Sequence, residues 1–239
     1  MHRRPVGLLD PPVGGSIAGE RDVCRKRIGE SLRSASRHDE PYPHWLLSRV
    51  LPEPVAEAMA ALPFAAPALH GLSGSREIHN NTRCYVDAAA IAGHRVCRSV
   101  AEAFQHPSTV AAIEAVTGAR LDACCLRIEY AQDTDGFWLQ PHTDLGVKKF
   151  TLLYYLAPEG AADLGTDLYA DADTWSHRAA FEPGAALAFV PSDRTWHGFE
   201  PRPIPVVRKS LIVNYVTADW RAREQLAYPD RPVRSRRAA

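Results

Sequence analysis

The sequence of 239 residues has no apolar run near the roughly 20 residues that a membrane-spanning helix needs. Its first residues carry arginine and proline where a secretory signal peptide needs an unbroken apolar stretch. Net charge is absent too, since 28 basic side chains balance 28 acidic ones. This balance gives no electrostatic reason to expect nucleic acid or an anionic membrane as partner. We therefore expect a cytoplasmic protein that binds neither.

Cysteine is sparse and shows no repeating spacing. The chain has five cysteines, an odd number, and no paired C-x-x-C motif. This pattern argues against a disulfide framework and against a structural zinc site made of thiolates. We interpret the cysteines, including the adjacent Cys124 and Cys125, as buried thiols.

The length suits one sizeable domain. Residues 1–40 mix Pro, Gly, Ser and Arg with little periodicity, which predicts a flexible leader. Residues 41–118 have helical apolar spacing, broken near Pro107 and ended by Gly118, and we expect a helical buttress there.

Beyond residue 119 the apolar pattern becomes strand-like. Strand candidates cover residues 126–130, 150–156, 185–190 and 207–216, with Gly, Pro and Asp between them. Leu126–Tyr130 alternates apolar and polar residues, as a half-buried strand does. A brief closing helix at 219–226 and a basic tail at 230–239 complete the prediction. The fold class is α+β with a mainly β core over 119–217, either a β-sandwich or a jelly roll, behind an N-terminal helical buttress.

The first chemical signal is Pro141-His142-Thr143-Asp144. Residues i and i+2 of a strand share a face, so His142 and Asp144 can approach one metal ion. The motif alone is weak, because the chain has ten histidines and a second His-x-acid motif at His38. A hydrogen-bonded surface histidine is the alternative interpretation of His142.

His197 strengthens the signal because it follows a buried strand in Thr195-Trp196-His197-Gly198. Two imidazoles and one carboxylate form the facial set of ligands that leaves open positions on a ferrous ion. A structural zinc site would instead close all four positions, usually with thiolates. The sequence thus favours His142, Asp144 and His197 as iron ligands.

Shortly after His197, Arg208 and Ser210 occupy alternate positions of the last long strand, so their side chains share a face. A guanidinium beside a hydroxyl is a suitable receptor for a buried carboxylate. A solvated arginine at a strand end is the alternative. Lys148 and Lys149 point to opposite faces, so at most one of them faces the same pocket.

From residue 124 to 216 the sequence resembles the 2-oxoglutarate and iron-dependent oxygenases, especially their prolyl-hydroxylase-like branch. Two features depart from that branch, which often has lysine in place of Arg208 and a glycine pair where this chain has only Gly165. The departures bear on the substrate and not on the metal. The matching motifs occur in the family's order: Arg127-Ile128-Glu129-Tyr130 before Gly136, Pro141-His142-Thr143-Asp144, the strand of residues 150–156, Gly165 before Asp167-Leu168-Tyr169, Pro183-Gly184 before a strand, Trp196-His197-Gly198, and Arg208-x-Ser210.

The resemblance implies a double-stranded β-helix, the cupin-like jelly roll, in a single oxygenase domain over residues 41–229. It implies Fe(II) as the metal, with 2-oxoglutarate and O2 as co-substrates that yield succinate and CO2. Arg208 and Ser210 would bind 2-oxoglutarate together with Tyr130, whose other interpretation is a core aromatic residue.

The substrate expected from the sequence is a small molecule, such as an amino-acid derivative or a natural-product intermediate. Trp138, Tyr155 and Phe199 are candidate substrate contacts, although aromatic residues in such positions are more often core. A protein side-chain hydroxylase of the prolyl type and a non-catalytic jelly-roll binding module remain as alternatives. The sequence gives no indication of the oligomeric state.

Overall fold

The computed structural model describes residues 16–69, 73–75, 83–156 and 161–235. The helices are α1 (Ile17–Arg33), α2 (Glu53–Ala60), α3 (Ala88–Gly93), α4 (Arg95–Gln105) and α5 (Pro107–Thr117). The strands are β1 (Ser36–His38), β2 (His44–Leu47), β3 (Cys84–Tyr85), β4 (Cys125–Asp133), β5 (Leu139–His142), β6 (Lys148–Tyr155), β7 (Asp167–Tyr169), β8 (Trp175–Arg178), β9 (Ala186–Phe189), β10 (Trp196–Phe199) and β11 (Arg208–Val216). Two short 3-10 helices lie at Ala162–Leu164 and Arg223–Gln225.

The strands form two sheets in which every pair of neighbouring strands is antiparallel. The larger sheet has seven strands in the order β1-β2-β9-β6-β11-β4-β3, and the smaller has four in the order β5-β10-β7-β8. The expected combination of helices with a mainly β core is therefore present.

The two faces of the larger sheet contribute to different hydrophobic cores. On the outer face, Leu152, Tyr154 and Leu211 pack in one cluster with apolar residues of α1, α2 and α4. On the inner face, Leu153 and Tyr155 belong to a second cluster that includes residues of the smaller sheet. The alternation of side chains along each strand thus separates a helix-covered face from an interior between the sheets.

The prediction of a flexible leader is wrong from Ser16 onward, while residues 1–15 lie outside the described part. Ser16 caps α1, accepting a hydrogen bond from the Gly19 N–H at 3.1 Å. Cys24, Ile28 and Leu32 are spaced four apart and buried in the core. Because the other positions of α1 are mostly charged or polar, the composition of this segment did not indicate a helix with a buried face.

Other local predictions are confirmed or corrected. The break at Pro107 between α4 and α5 is confirmed, and Gly118 ends α5 with a φ of 74°. Residues 44–47, expected to be helical, form β2. The closing helix predicted at 219–226 is present as a shorter 3-10 helix at Arg223–Gln225.

The predicted basic tail also begins later than residue 230. Val233 is buried in the outer core and exchanges backbone hydrogen bonds with Ala123 and Cys124. Among the described residues, no helix is long and apolar enough to cross a membrane.

Candidate metal centre

Two neighbouring strands of the smaller sheet bring the two candidate histidine ligands together. His142 ends β5 and lies directly opposite His197 of β10, with 4.4 Å between the ring centroids. Asp144 lies in the loop two residues beyond the end of β5. One potential ligand atom from each of His142, Asp144 and His197 lies within 4.8 Å of the others. Three side chains from two separate segments of the sequence therefore converge on one point.

Backbone carbonyl groups fix the orientation of both imidazole rings. His142 Nδ1 lies 3.0 Å from the Gln140 carbonyl oxygen, and His197 Nδ1 lies 2.9 Å from that of Thr195. A carbonyl oxygen can only accept, so each Nδ1 carries the hydrogen of the neutral ring. The lone pair is then on Nε2, the arrangement typical of metal-binding histidines.

The carboxylate of Asp144 is held from two sides. Lys148 Nζ lies 2.5 Å from Oδ1, and the Thr151 hydroxyl donates to Oδ2 at 2.7 Å. Lys148 is therefore the one of the two adjacent lysines that faces the pocket, whereas Lys149 donates to the Gly146 carbonyl. The sequence predicted that at most one of the two lysines faces the pocket, but it predicted neither which one nor the ion pair with Asp144.

A chain of hydrogen bonds extends from Thr151 through the interior. The Asn214 amide donates to the Thr151 hydroxyl at 2.9 Å, and Arg127 Nη1 donates to the Asn214 side-chain oxygen at 3.0 Å. The same guanidinium bonds Glu129 at 2.8 Å and the Gln225 side chain at 2.9 Å. All three of its nitrogens are engaged, so Arg127 is held rigidly.

Arg208 lies on the inner face of β11 and lines the same cavity as the two histidines. Its guanidinium donates to Asp133 at 2.5 Å and to the Leu164 carbonyl at 2.6 Å, with a longer contact of 3.4 Å to Thr166. The alternative of a solvated arginine at a strand end is thus excluded. The pairing with Asp133 was not foreseen.

The assignment of Tyr130 to the co-substrate is wrong. Tyr130 pairs with Leu211 on the outer face of the larger sheet and packs in the core beneath the helices. Its hydroxyl donates to the Ala60 carbonyl at 3.3 Å. The inner face of β4 carries its neighbours Arg127 and Glu129 instead, because successive side chains of a strand point to opposite faces.

The other four residues predicted to bind the co-substrate or the substrate differ in how close they lie to the cavity. Ser210 shares the inner face with Arg208, and its buried hydroxyl has no hydrogen-bond partner among the described residues. Phe199 is buried and lines the cavity, with the Arg208 guanidinium 4.8 Å from its ring centroid. Tyr155 is also buried, and its hydroxyl donates to Thr166 beside Arg208. Trp138 lies at the surface, 36% exposed, so the structure does not bring it to the cavity.

The cavity itself measures about 80 Å³ between the described residues. Sequence analysis had not singled out several polar residues that line it: Arg83, Tyr85, Arg127, Glu129, Asp133, Thr151 and Thr166. The alternating charges of β4 were a signal for some of them, but a half-buried strand was expected to turn that face to solvent. All nine residues of β4 are in fact buried.

Comparisons with known proteins bear on the fold. No family profile and no curated protein matches the sequence. Among solved structures, a prolyl-4-hydroxylase of Pseudomonas putida is 16% identical with a TM-score of 0.53, over 81% of this chain and 98% of that one. A prolyl hydroxylase of Trichoplax adhaerens, in complex with a hypoxia inducible factor peptide fragment, is 11% identical with a TM-score of 0.52. The match covers 86% of this chain and 94% of that one.

A prolyl 4-hydroxylase of Phytophthora capsici is 14% identical with a TM-score of 0.52, over 90% of this chain and 70% of that one. The chain therefore shares the fold of the prolyl hydroxylases. The resemblance predicted from the sequence is confirmed at the level of the fold.

Proposed function

We propose that this protein is an Fe(II) and 2-oxoglutarate-dependent dioxygenase with a double-stranded β-helix core, which hydroxylates or otherwise oxidises a small molecule. The observation that carries the proposal is the convergence of His142, Asp144 and His197 in one cavity with Arg208. The shared fold with prolyl hydroxylases supports it independently.

The three ligand side chains suit a ferrous ion. Two neutral imidazoles with their lone pairs on Nε2 and one carboxylate are the donor set of non-haem iron oxygenases, and no thiolate is among them. Carbonyl contacts orient the rings of His142 and His197 before any metal arrives. Lys148 and Thr151 hold the carboxylate of Asp144 in place.

Arg208 fits the distal carboxylate of 2-oxoglutarate. A guanidinium has five N–H donors, and Arg208 uses three in its contacts with the described residues. The remaining N–H groups of Nη1 and Nη2 form a fork for a carboxylate. Ser210, whose buried hydroxyl lacks a partner in the described part of the chain, is the proposed second donor.

The bound iron and 2-oxoglutarate supply the oxidising chemistry, in which O2 is consumed, succinate and CO2 are released and one oxygen atom passes to the substrate. The protein orients the reactants and limits the access of water. Phe199 and Leu153, both buried, give this cavity an apolar side.

Anaerobic titration tests the proposal. Addition of Fe(II) and 2-oxoglutarate together to the protein should produce the visible absorption band of their joint complex. The band should be absent with either component alone and in the variant His197→Ala. A wild-type protein that binds Fe(II) and 2-oxoglutarate without the band, or binds neither, would contradict the proposal. Thermal unfolding of the variant checks that it is folded.

A protein side-chain hydroxylase of the prolyl type is the second candidate. It is supported by the shared fold with a prolyl hydroxylase whose structure contains a bound peptide fragment. Release of succinate stimulated by proline-containing peptides, with a mass increase of one oxygen atom in the peptide, would favour it over a small-molecule oxygenase. A non-catalytic binding module is disfavoured, since His142, Asp144, His197 and Arg208 are all in place.

A further inference from the structure

The cavity lined by the metal-binding side chains also has a wall of largely buried charged groups, of which the proposed reaction uses only Arg208. Arg83 Nη1 lies 2.7 Å from Glu129 and 3.8 Å from Asp133. Arg127 bonds the other oxygen of Glu129, and Arg208 bonds the other oxygen of Asp133. Three guanidinium groups thus face two carboxylates. Burying ionised groups is unfavourable unless they are paired. Among the described residues this wall has one cation more than anions, and the distal carboxylate of 2-oxoglutarate on Arg208 would balance that charge.

The hydrogen bonds distinguish one guanidinium from the other two. Each of the three nitrogens of Arg127 has a partner, and so does each nitrogen of Arg208. Among the described residues, Arg83 contacts carboxylates only through Nη1. Its Nε and Nη2 have no hydrogen-bond partner among the described residues, and neither atom is fully buried. The side chain is 13% exposed and lines the cavity.

Nε and Nη2 form one edge of the guanidinium and present two parallel N–H groups. We propose that this edge of Arg83 binds a carboxylate of the primary substrate, so that the substrate is a small carboxylic acid; this substrate class rests on the function proposed above. The acid would enter a cavity whose apolar side includes Phe137, Leu153 and Phe199.

The neighbours of Arg83 favour a carboxylate over a phosphate. A planar monoanion matches the two parallel N–H groups on the Nε and Nη2 edge of Arg83. A phosphate dianion would place a second negative charge beside Glu129 and Asp133. Arg208 remains the receptor for 2-oxoglutarate, because its contacts with the described residues leave N–H groups of Nη1 and Nη2 for that carboxylate.

Binding to the Mn(II)-loaded protein tests the proposal without turnover. The probes are three matched pairs of acid and amide: phenylacetate and phenylacetamide, hexanoate and hexanamide, N-acetylleucine and N-acetylleucinamide. Calorimetry gives their affinities, and broadening of their proton resonances by Mn(II) shows whether they lie near the metal. We expect at least one acid to be broadened and to bind about tenfold or more tightly than its amide.

Variants of Arg83 complete the test. Arg83→Gln leaves Glu129 paired with Arg127 and Asp133 paired with Arg208, so folding is expected to persist. It should abolish the preference for the acid, and Arg83→Lys, which keeps the charge but loses the planar fork, should weaken it about tenfold. The affinity for 2-oxoglutarate should stay within about threefold of wild type. Arg37→Gln, at an exposed arginine, is the matched control and should leave the affinities for the acids, the amides and 2-oxoglutarate unchanged.

Three outcomes would overturn the proposal: acids and amides that bind alike, no binding by any of the three acids, or Arg83→Gln weakening 2-oxoglutarate binding about tenfold while the acid preference persists. The last would identify Arg83 as a receptor of the co-substrate. Should wild-type protein not bind 2-oxoglutarate at all, the proposed function fails, and the acid–amide comparison with Mn(II) alone still decides the role of Arg83.

Discussion

Thr151 donates a hydrogen bond to Oδ2 of Asp144 at 2.7 Å, and it does so from the middle of β6, on the inner face of the larger sheet. Its hydroxyl hydrogen is directed to the carboxylate because the Asn214 amide donates to the same hydroxyl oxygen. Asn214 is oriented in turn by Arg127. Asp144, which follows β5 of the smaller sheet, is thus positioned by a series of donors in the larger sheet.

The first prediction concerns Thr151→Val, which keeps the shape of the side chain and removes the donor. Metal affinity should fall about 10-fold or more, since partners that orient a ligand typically contribute this much. Calorimetric titration with Mn(II) measures it. Thr109→Val is the matched control, because the Thr109 hydroxyl is buried and has no partner among the described residues. Equal metal affinities in the two variants would contradict the positioning role.

The second prediction contrasts two buried tyrosines. Tyr130→Phe should leave 2-oxoglutarate affinity within about twofold of wild type, because its side chain faces the helices and its single bond, to Ala60, is long. Tyr155→Phe removes the donor to Thr166, which contacts Arg208, and should weaken 2-oxoglutarate binding about threefold to tenfold. Calorimetry with Mn(II)-loaded protein compares them. A larger effect at Tyr130 would restore the assignment made from the sequence.

These tyrosines also show what a sequence pattern leaves undetermined. Alternation along β4 correctly separates Arg127 and Glu129 from Ile128 and Tyr130, but it does not reveal which face turns to the interior between the sheets. The polar face was expected to meet solvent, as in a two-layer protein with one wet face. Here both faces are covered, one by helices and the other by the smaller sheet.

The convergence of the metal-binding residues was more predictable. His142 and Asp144 are local in sequence, and His197 belongs to a motif whose order along the chain is specific. By contrast, Arg83 reaches the cavity because β3 pairs with β4 at the edge of the larger sheet. The sequence of so short a strand does not indicate which strand it pairs with, so only the tertiary pairing reveals that contribution.

The third prediction is a dependence of stability on pH. Asp167 is buried, which raises its carboxyl pKa, but hydrogen bonds from the Glu200 N–H and Arg202, with a further one from Arg178, outweigh burial and lower the pKa from its usual 3.8. The unfolded chain therefore binds the proton first. The stabilisation that ionised Asp167 gives the folded state is complete above pH 3.8. It is lost as the pH falls below that value towards the pKa of Asp167 in the folded protein.

Asp167→Asn removes this titration. The variant should be less stable than wild type by about 2 to 3 kcal/mol near neutral pH, because Arg202 and Arg178 lose their carboxylate partner. The difference should narrow as the pH falls below 3.8. Urea unfolding at a series of pH values measures both effects. A difference that stays constant down to the acid limit would show that Asp167 does not contribute through its charge.

The fourth prediction concerns the spacing of β5 and β10, the strands that carry the two histidines. A Cβ atom at Gly198 would lie 2.7 Å from the Leu139 carbonyl oxygen and 3.2 Å from the Gln140 carbonyl carbon. Both contacts are with backbone, so the strands must move apart in Gly198→Ala. Such overpacking should cost about 1 to 3 kcal/mol of stability.

The same movement would separate His142 from His197, which are direct partners across the two strands. Because metal–ligand distances tolerate only about 0.2 Å, Mn(II) affinity should fall by roughly tenfold or more in Gly198→Ala. Gly93→Ala is the control, since nothing lies within 4 Å of its added methyl group. Unchanged metal affinity together with lowered stability would mean that the strain is relieved elsewhere in β10, and that the spacing of the two strands does not set the geometry of the site.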